Sequence, residues 1–285
     1  MDTLRSALQP ITHNLPTPLY TLGNNLLGPT CYKTIILDLT LTDTPCLKLA
    51  ISKALGLSII SASSIVKIPQ ILKLLRSQSA TGVSFLSYLL ETGGLVATLA
   101  YNARQGFPFS TYGETALIAL QNLVICVLVL RYRGRGAEAG GVLAGLAAVL
   151  WGLMDERVVG REALGYVQAV AGNLAVASKM PQIWTVWRQG GTGQLSAFAV
   201  FNYLLGSLAR VFTTLQEVDD KLILYGFVAG CVLNAVLAGQ MVYYWKSPAT
   251  AGHAAEIGKE PEKIAMGSST GSSTKGKGPT TRRRG

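Results

Sequence analysis

Seven stretches of this chain, at about 49–70, 83–101, 113–131, 138–154, 163–183, 195–212 and 222–245, are apolar over roughly the 20 residues that a helix needs to cross a bilayer. Lipid offers backbone groups no partners, so such runs must close their own hydrogen bonds, and the fold class follows as an all-α membrane protein. Composition agrees: 49% of the 285 residues are hydrophobic and 14% charged, with a mean hydropathy of +0.35, which excludes an ordinary soluble domain. The fourth run, "GGVLAGLAAVLWGLM", is short and rich in Gly and Ala, and reads as a linker helix.

The flanks differ in kind. Residues 1–48 lack the basic start, apolar centre and small-residue cleavage site of a signal peptide, so they are expected to be retained. Residues 246–285 turn to Gly, Ser, Thr and Lys and end "KGKGPTTRRRG", a composition that predicts disorder. That tail holds eight Lys or Arg against three Glu, half of the net charge of +10. A basic tail beside membrane spans reads as an orientation signal or a lipid contact rather than a nucleic-acid site. Lys73, Arg76, Arg131, Arg133, Arg135 and Arg188 fall in alternate loops with the tail, whereas the others hold Asp155, Glu156 and Glu162 against Arg157 and Arg161, and Glu217, Asp219 and Asp220 against Lys221; the thin loop around Arg104 is the exception. The rule that cytosolic loops are basic then places the C-terminus in the cytosol and the N-terminus in a lumen. Cys126 and Cys231 lie in apolar runs and read as core residues. Cys31 and Cys46 fall in the lumenal segment, where oxidation permits a bond but spacing does not require one.

The chain repeats itself. A single offset in numbering, 112, lays Lys67, Pro69, Gln70 and Ile71 on Lys179, Pro181, Gln182 and Ile183, carries Asn122 onto Asn234, and Tyr132 onto Tyr244. Two three-helix units, 49–131 and 159–245, are thus copies joined by a linker at 132–158. Three helices plus one make an even number of crossings, so the copies are parallel, related by a pseudo-two-fold along the membrane normal, with a site expected between them. Pro69 cannot bond the carbonyl of Ile65, nor Pro181 that of Ala177, so each is expected to leave a free carbonyl and a hinge. Gln70 or Gln182, with the neighbouring Ser63, Ser64 or Ser178, are the expected donors, and a static kink that fits packing is the alternative to a moving hinge.

The paired K-x-P-Q signature resembles the PQ-loop superfamily, whose members include the SWEET sugar-efflux proteins and the lysosomal cystine exporter. "PCLKLAISKALGL", "GFPFSTYGETALIALQNLVICVLVLRYRG" and "GTGQLSAFAVFNYLLGSLARVFTTLQE" further resemble the mannose-P-dolichol utilization defect 1 family, over about Pro45 to Trp245. The resemblance implies a multi-pass endoplasmic reticulum protein with SWEET-like 3+1+3 architecture. It also implies a role in letting lumenal mannosylation and glucosylation (N-glycan precursor, GPI anchor, O- and C-mannosylation) use dolichyl-phosphate mannose and glucose. Its implied partners are dolichyl-phosphate sugars, membrane lipid and glycosyltransferases. Translocation, presentation or mere support of the lipid-linked sugar all fit, as does a rival solute carrier for a free sugar or amino acid.

Several polar residues stand out in the apolar runs. Glu91 needs a partner or a proton at membrane depth, where a charge costs about 2.5–3.5 kcal/mol, and is either a group on the central path or a structural one. Asn122 and Asn234 match, by resemblance, an asparagine pair that lines the sugar pocket of the efflux proteins; otherwise they are interhelical hydrogen-bond residues. Asn173 extends the same layer. Lys67 and Lys179 either snorkel to the headgroups or meet the phosphate of a lipid-linked sugar. Arg210 is a further lipid-phosphate candidate or an ion-pair residue. Gly93, Gly94 and Gly206 read as close-packing positions. His13 and His253 are the only histidines and both are terminal, so neither a metal site, a cofactor nor a catalytic triad is expected, and an enzyme is not.

Overall fold

The computed structural model describes residues 9, 10, 12–192 and 195–245, all helices and turns; the predicted disordered tail, 246–285, lies outside them. Helix α1 (Thr17–Tyr32) turns sharply at Gly28, whose φ of 75° suits glycine, just before Pro29. A π-helical turn, Lys33–Leu37, follows. Cys31 is bonded to Cys46, which ties α1 to the start of α2 (Thr44–Ser63). Asp43 caps α2 by accepting from Cys46 N at 3.2 Å. The remaining helices are α3 (Ile68–Ser77), α4 (Phe85–Arg104), α5 (Phe109–Tyr132), α6 (Gly136–Met154), α7 (Arg161–Ala177), α8 (Met180–Gln189), α9 (Ala197–Glu217) and α10 (Lys221–Tyr243).

Among the described residues five spans are long and apolar enough to cross a membrane: α2 with α3, α5, α6, α9 and α10. The other two predicted runs do form helices but fall short of that measure. Helix α4 carries Glu91, Asn102 and Arg104, and the run at 163–183 is split, leaving α7 only 17 residues.

Packing repeats as the sequence does. Helix α5 lies against α2, α3 and α4, and α10 lies against α7, α8 and α9. One cluster gathers Leu74, Ile125 and Val129 with Ile71, Val83, Tyr88 and Tyr132. A second gathers Val186, Leu237 and Met241 with Ile183, Leu195, Val200 and Tyr244. The offset that carries Lys67 onto Lys179 carries each of these first residues onto its counterpart in the second cluster. Lipid provides no hydrophobic force between helices, so this matched interdigitation is held by dispersion and by shape. The same offset relates the caps: Ser84 and Ser196 cap α4 and α9, and the left-handed residues Gln78 and Gly190 end α3 and α8.

The halves meet reciprocally, α2 against α9 and α4 against α7. Where α4 and α9 finish and α5 and α10 begin, here called the Glu217 end, an apolar cluster of Val96, Ala100, Tyr101, Leu153, Leu164 and Ile223 joins α4, α6, α7 and α10. Arg104 anchors the loop beyond α6 by donating to the Leu153 and Val159 carbonyls at 2.9 and 2.7 Å. In that loop a hydrogen bond from Arg161, with its charge, holds the Glu156 carboxyl below its usual range.

At the proline motifs the helix is interrupted rather than kinked. Residues between α2 and α3 form tight turns, and the Ile65 carbonyl expected to be free accepts from Ile68 N at 3.2 Å. Pro69 and Pro181 fall in the first turn of α3 and α8, where an N–H has no intrahelical use. The repairing amide is Gln121 of α5: its Oε1 accepts from Lys67 N at 2.9 Å and its Nε2 donates to the Ser63 carbonyl at 2.9 Å. Among the described residues neither Gln70 nor Gln182 makes a side-chain hydrogen bond, which corrects the expected repair.

Candidate site between the repeats

A cavity of about 430 Å³ lies between the halves, walled by α4 and α5 of the first repeat and by α7, Lys179 and α10 of the second. Its volume is in the range of small-molecule sites. The polar lining comprises Thr98 and Asn102 of α4, Thr111, Glu114 and Thr115 of α5, Gln168 and Asn173 of α7, and Lys179. Asn102 is buried and held by its own helix, Nδ2 donating to the Thr98 carbonyl at 2.7 Å. Gln168 is 8% exposed, and its Oε1 has no hydrogen-bond partner. Gly172, Gly226 and Gly230 complete the wall; a Cβ added to any of them would meet nothing within 4 Å.

The charges around this space are uneven. Lys67 of the first repeat donates to both oxygens of Glu91 at 2.9 and 3.1 Å and lies over the Tyr88 ring at 5.2 Å. Its counterpart Lys179 donates to Asn234 Oδ1 at 2.6 Å and lies 5.7 Å from the Tyr203 ring. Tyr203 is the repeat counterpart of Glu91, so the second repeat has an aromatic ring where the first has a carboxylate. Among the described residues no carboxylate pairs with Lys179. Its distance from the end of α8, ten residues, is roughly 15 Å of helix, beyond the reach of one side chain. Each lysine is engaged laterally on a neighbouring helix.

Glu114, the acidic lining residue, is paired with Arg210 of α9, which also donates to the Thr111 carbonyl at 3.0 Å. Arg210 is 5% exposed and so is withdrawn from the lipid-phosphate set. Their charges cancel, and the lining retains the one ammonium of Lys179. Beside them, Lys53 of α2 binds Glu217 Oε2 at 2.6 Å and Ser110 Oγ at 3.0 Å, and Ser110 and Ser52 also donate to Glu217.

Of the residues singled out in the sequence, Asn173 and Lys179 line the cavity and Asn234 positions Lys179 while donating to the Tyr203 carbonyl at 3.1 Å. Glu91 and Lys67 lie outside its lining, paired with each other. Asn122 is fully buried with both amide atoms unpartnered, within the first repeat and away from the lining, so the symmetric asparagine pair does not form one pocket. Glu114, Asn102, Gln168 and Gln121 were not singled out, although Glu114, Gln168 and Gln121 are polar residues within apolar runs and Asn102 directly follows one. Gly93, Gly94 and Gly206 touch nothing a Cβ would displace, which corrects their reading as close-packing residues.

Comparison with known proteins finds likeness in sequence and in fold. The PQ loop repeat model matches the chain twice, at residues 51–111 and 162–223. The human protein named solute carrier family 66 member 3 is 26% identical over 190 residues, covering 67% of this chain and 92% of that protein. The 3.7 Å structure of a eukaryotic SWEET transporter superposes with a TM-score of 0.58 at 16% identity, covering 70% of this chain and 98% of that one. At that identity the likeness establishes fold.

Proposed function

We propose that this membrane chain, with its two PQ loop repeats in a SWEET-like fold, binds the sugar-phosphate head of dolichyl-phosphate mannose or dolichyl-phosphate glucose between its halves. In this reading the helices make seven spans in a 3+1+3 order, 49–131 and 159–245 about a linker. The chain lies in the endoplasmic reticulum membrane with the N-terminus lumenal and the basic C-terminus cytosolic. It makes the lipid-linked sugar usable by lumenal glycosyltransferases, by moving the head across the bilayer. Pro69 and Pro181, in the interruptions of the first helix of each repeat, are the positions at which the halves bend.

The observation that carries the proposal is the uncompensated Lys179 on the wall of a cavity whose other free polar groups are neutral. An ammonium held by Asn234 suits one phosphate, and the amides of Asn102, Gln168 and Asn173 both donate to and accept from sugar hydroxyls. Lys67 is neutralised by Glu91 and Arg210 by Glu114, so one cation serves where the sequence suggested a symmetric pair. The resemblance to the dolichol-utilization family supplies the lipid; the geometry supports an anion with hydroxyls.

Purified protein in liposomes tests the reading. Wild type should accelerate transbilayer movement of a short-chain dolichyl-phosphate mannose analogue, and Lys179→Gln should abolish the gain at equal protein level. A charge-assisted hydrogen bond contributes about 1.5–3 kcal/mol, so binding of the analogue should weaken on the order of tenfold to a hundredfold. The name of the human relative favours a second reading, a carrier of soluble solute: uptake of free mannose or glucose without lipid movement would establish it instead. Activity toward neither would leave an organiser of glycosyltransferases and end the binding proposal.

A further inference from the structure

The cavity has a wall that its repeat symmetry does not explain. On α7 and α10 the lining includes Gly172, Gly226 and Gly230, and each faces open space rather than a neighbouring helix. Gly226 and Gly230 are four residues apart, hence one above the other on the same face of α10. Such spacing ordinarily brings two helices into contact; here it leaves a trough. In the first repeat the corresponding positions hold Ile60, Glu114 and Ile118. The second repeat therefore lacks side chains where the first has them.

The trough runs to the outside. Tyr225 on its rim is 67% exposed and Asn173 is exposed, on helices whose outer faces meet lipid. Gln168, on the same cavity wall, is more than nine-tenths buried, with an acceptor that nothing in the described chain satisfies. A buried carbonyl oxygen without a donor is costly, and a bound hydroxyl would supply the donor. Lys179 adds the charge. A glycine-walled channel open to lipid, bordered by an ammonium and an unsatisfied amide, suits a molecule that joins an apolar chain to an anionic, hydroxyl-bearing head.

We propose that the trough between α7 and α10 seats the isoprenoid chain of the lipid whose head lies in the cavity, so that the chain leaves sideways into the bilayer. This rests on the lipid-linked reading above and adds to it the route of the tail. The test compares two probes on purified protein: mannosyl phosphate carrying two isoprene units with a photoreactive group on the chain, and mannosyl phosphate with a methyl ester in its place. Gly226→Leu and Gly230→Leu refill the trough, and Gly145→Leu on α6, also beside open space, controls for the cost of a leucine as such. The isoprenoid probe should crosslink to α7 or α10, and each trough variant should weaken it about tenfold more than it weakens the methyl ester. Lys179→Gln should weaken both probes. Crosslinks confined to other helices, or equal loss of both probes in the trough variants but not in Gly145→Leu, would overturn the tail route and leave the head site standing. Binding of neither probe to wild type would overturn both.

Discussion

Lys67 and Lys179 open the same K-x-P-Q-I pattern in sequence and have different partners in space. Both precede a proline by two residues, both N-cap the segment after the interruption, and both lie near an aromatic ring. What separates them is a residue on another helix, Glu91 in one repeat and Tyr203 in the other. Tyr203→Glu should therefore convert the second lysine to the state of the first. Binding of a dolichyl-phosphate mannose analogue should fall about tenfold or more, the loss of one charge-assisted contact, while the thermal midpoint holds or rises. Titration of the analogue against wild type, Tyr203→Glu and Tyr203→Phe separates charge from shape, since the phenylalanine variant should bind normally. Gln121 is the other decisive residue. Gln121→Leu strands Lys67 N and leaves the Ser63 carbonyl only the Val66 N–H, a cost of about 1–3 kcal/mol for a buried group left unpaired, and a lowered unfolding midpoint in detergent measures it. The Gln70→Leu variant should leave that midpoint almost unchanged.

At the scale of elements, the repeat was legible in the amino acids because matched cores need matched side chains. Leu74 with Val186, Ile125 with Leu237 and Val129 with Met241 are buried at corresponding points, so the offset read from a few polar residues applies to the packing as well. The site was less legible for the same reason. Symmetry drew attention to Asn122 with Asn234, whereas the site takes its character where the copies differ: Glu114 against Gly226, Glu91 against Tyr203, Gln121 against Leu233. Partners far apart in sequence, such as Arg210 for Glu114 and the Ser63 carbonyl for Gln121, leave no local pattern to read. One asymmetry is purely conformational. Gln78 ends α3 at φ 48°, where α8 has Gly190 at φ 59°. A left-handed non-glycine residue costs about 1–2 kcal/mol, and Gln78→Gly forfeits only the hydrogen bond from Nε2 to the Leu75 carbonyl. The variant should be more stable, by up to about 1 kcal/mol, measured as a raised midpoint in the same detergent.

For the molecule as a whole, polar links between the repeats gather at the Glu217 end. Lys53, Ser52 and Ser110 of the first repeat close on Glu217 of the second, Arg210 reaches Glu114, and Tyr101 donates to Asp220 Oδ2 at 2.6 Å. The side chains of Lys53 and Glu217 are only 12% and 2% exposed. A charge pair withdrawn from water to that extent does little for stability against an apolar substitute, yet removing one member alone is costly. It does hold two bodies in one register. If the halves bend at the proline interruptions, this network fixes the arrangement in which the Glu217 end is shut, and removing both charges together should release it without stranding either. Lys53→Met with Glu217→Leu should accordingly fold at close to normal yield, while Glu217→Leu alone, leaving Lys53 unpaired, should lose about 3–5 kcal/mol. The readout is a thiol introduced as Thr111→Cys, on the cavity wall and 7% exposed, with Cys126 and Cys231 replaced by Ala. A membrane-impermeant reagent should label it slowly in the wild-type background and about tenfold faster in the double variant, the effect of shifting a closed-to-open equilibrium by about 1.4 kcal/mol. Equal labelling in the two backgrounds, with the double variant folded, would show that the network is a static support and that any motion of the halves is governed elsewhere.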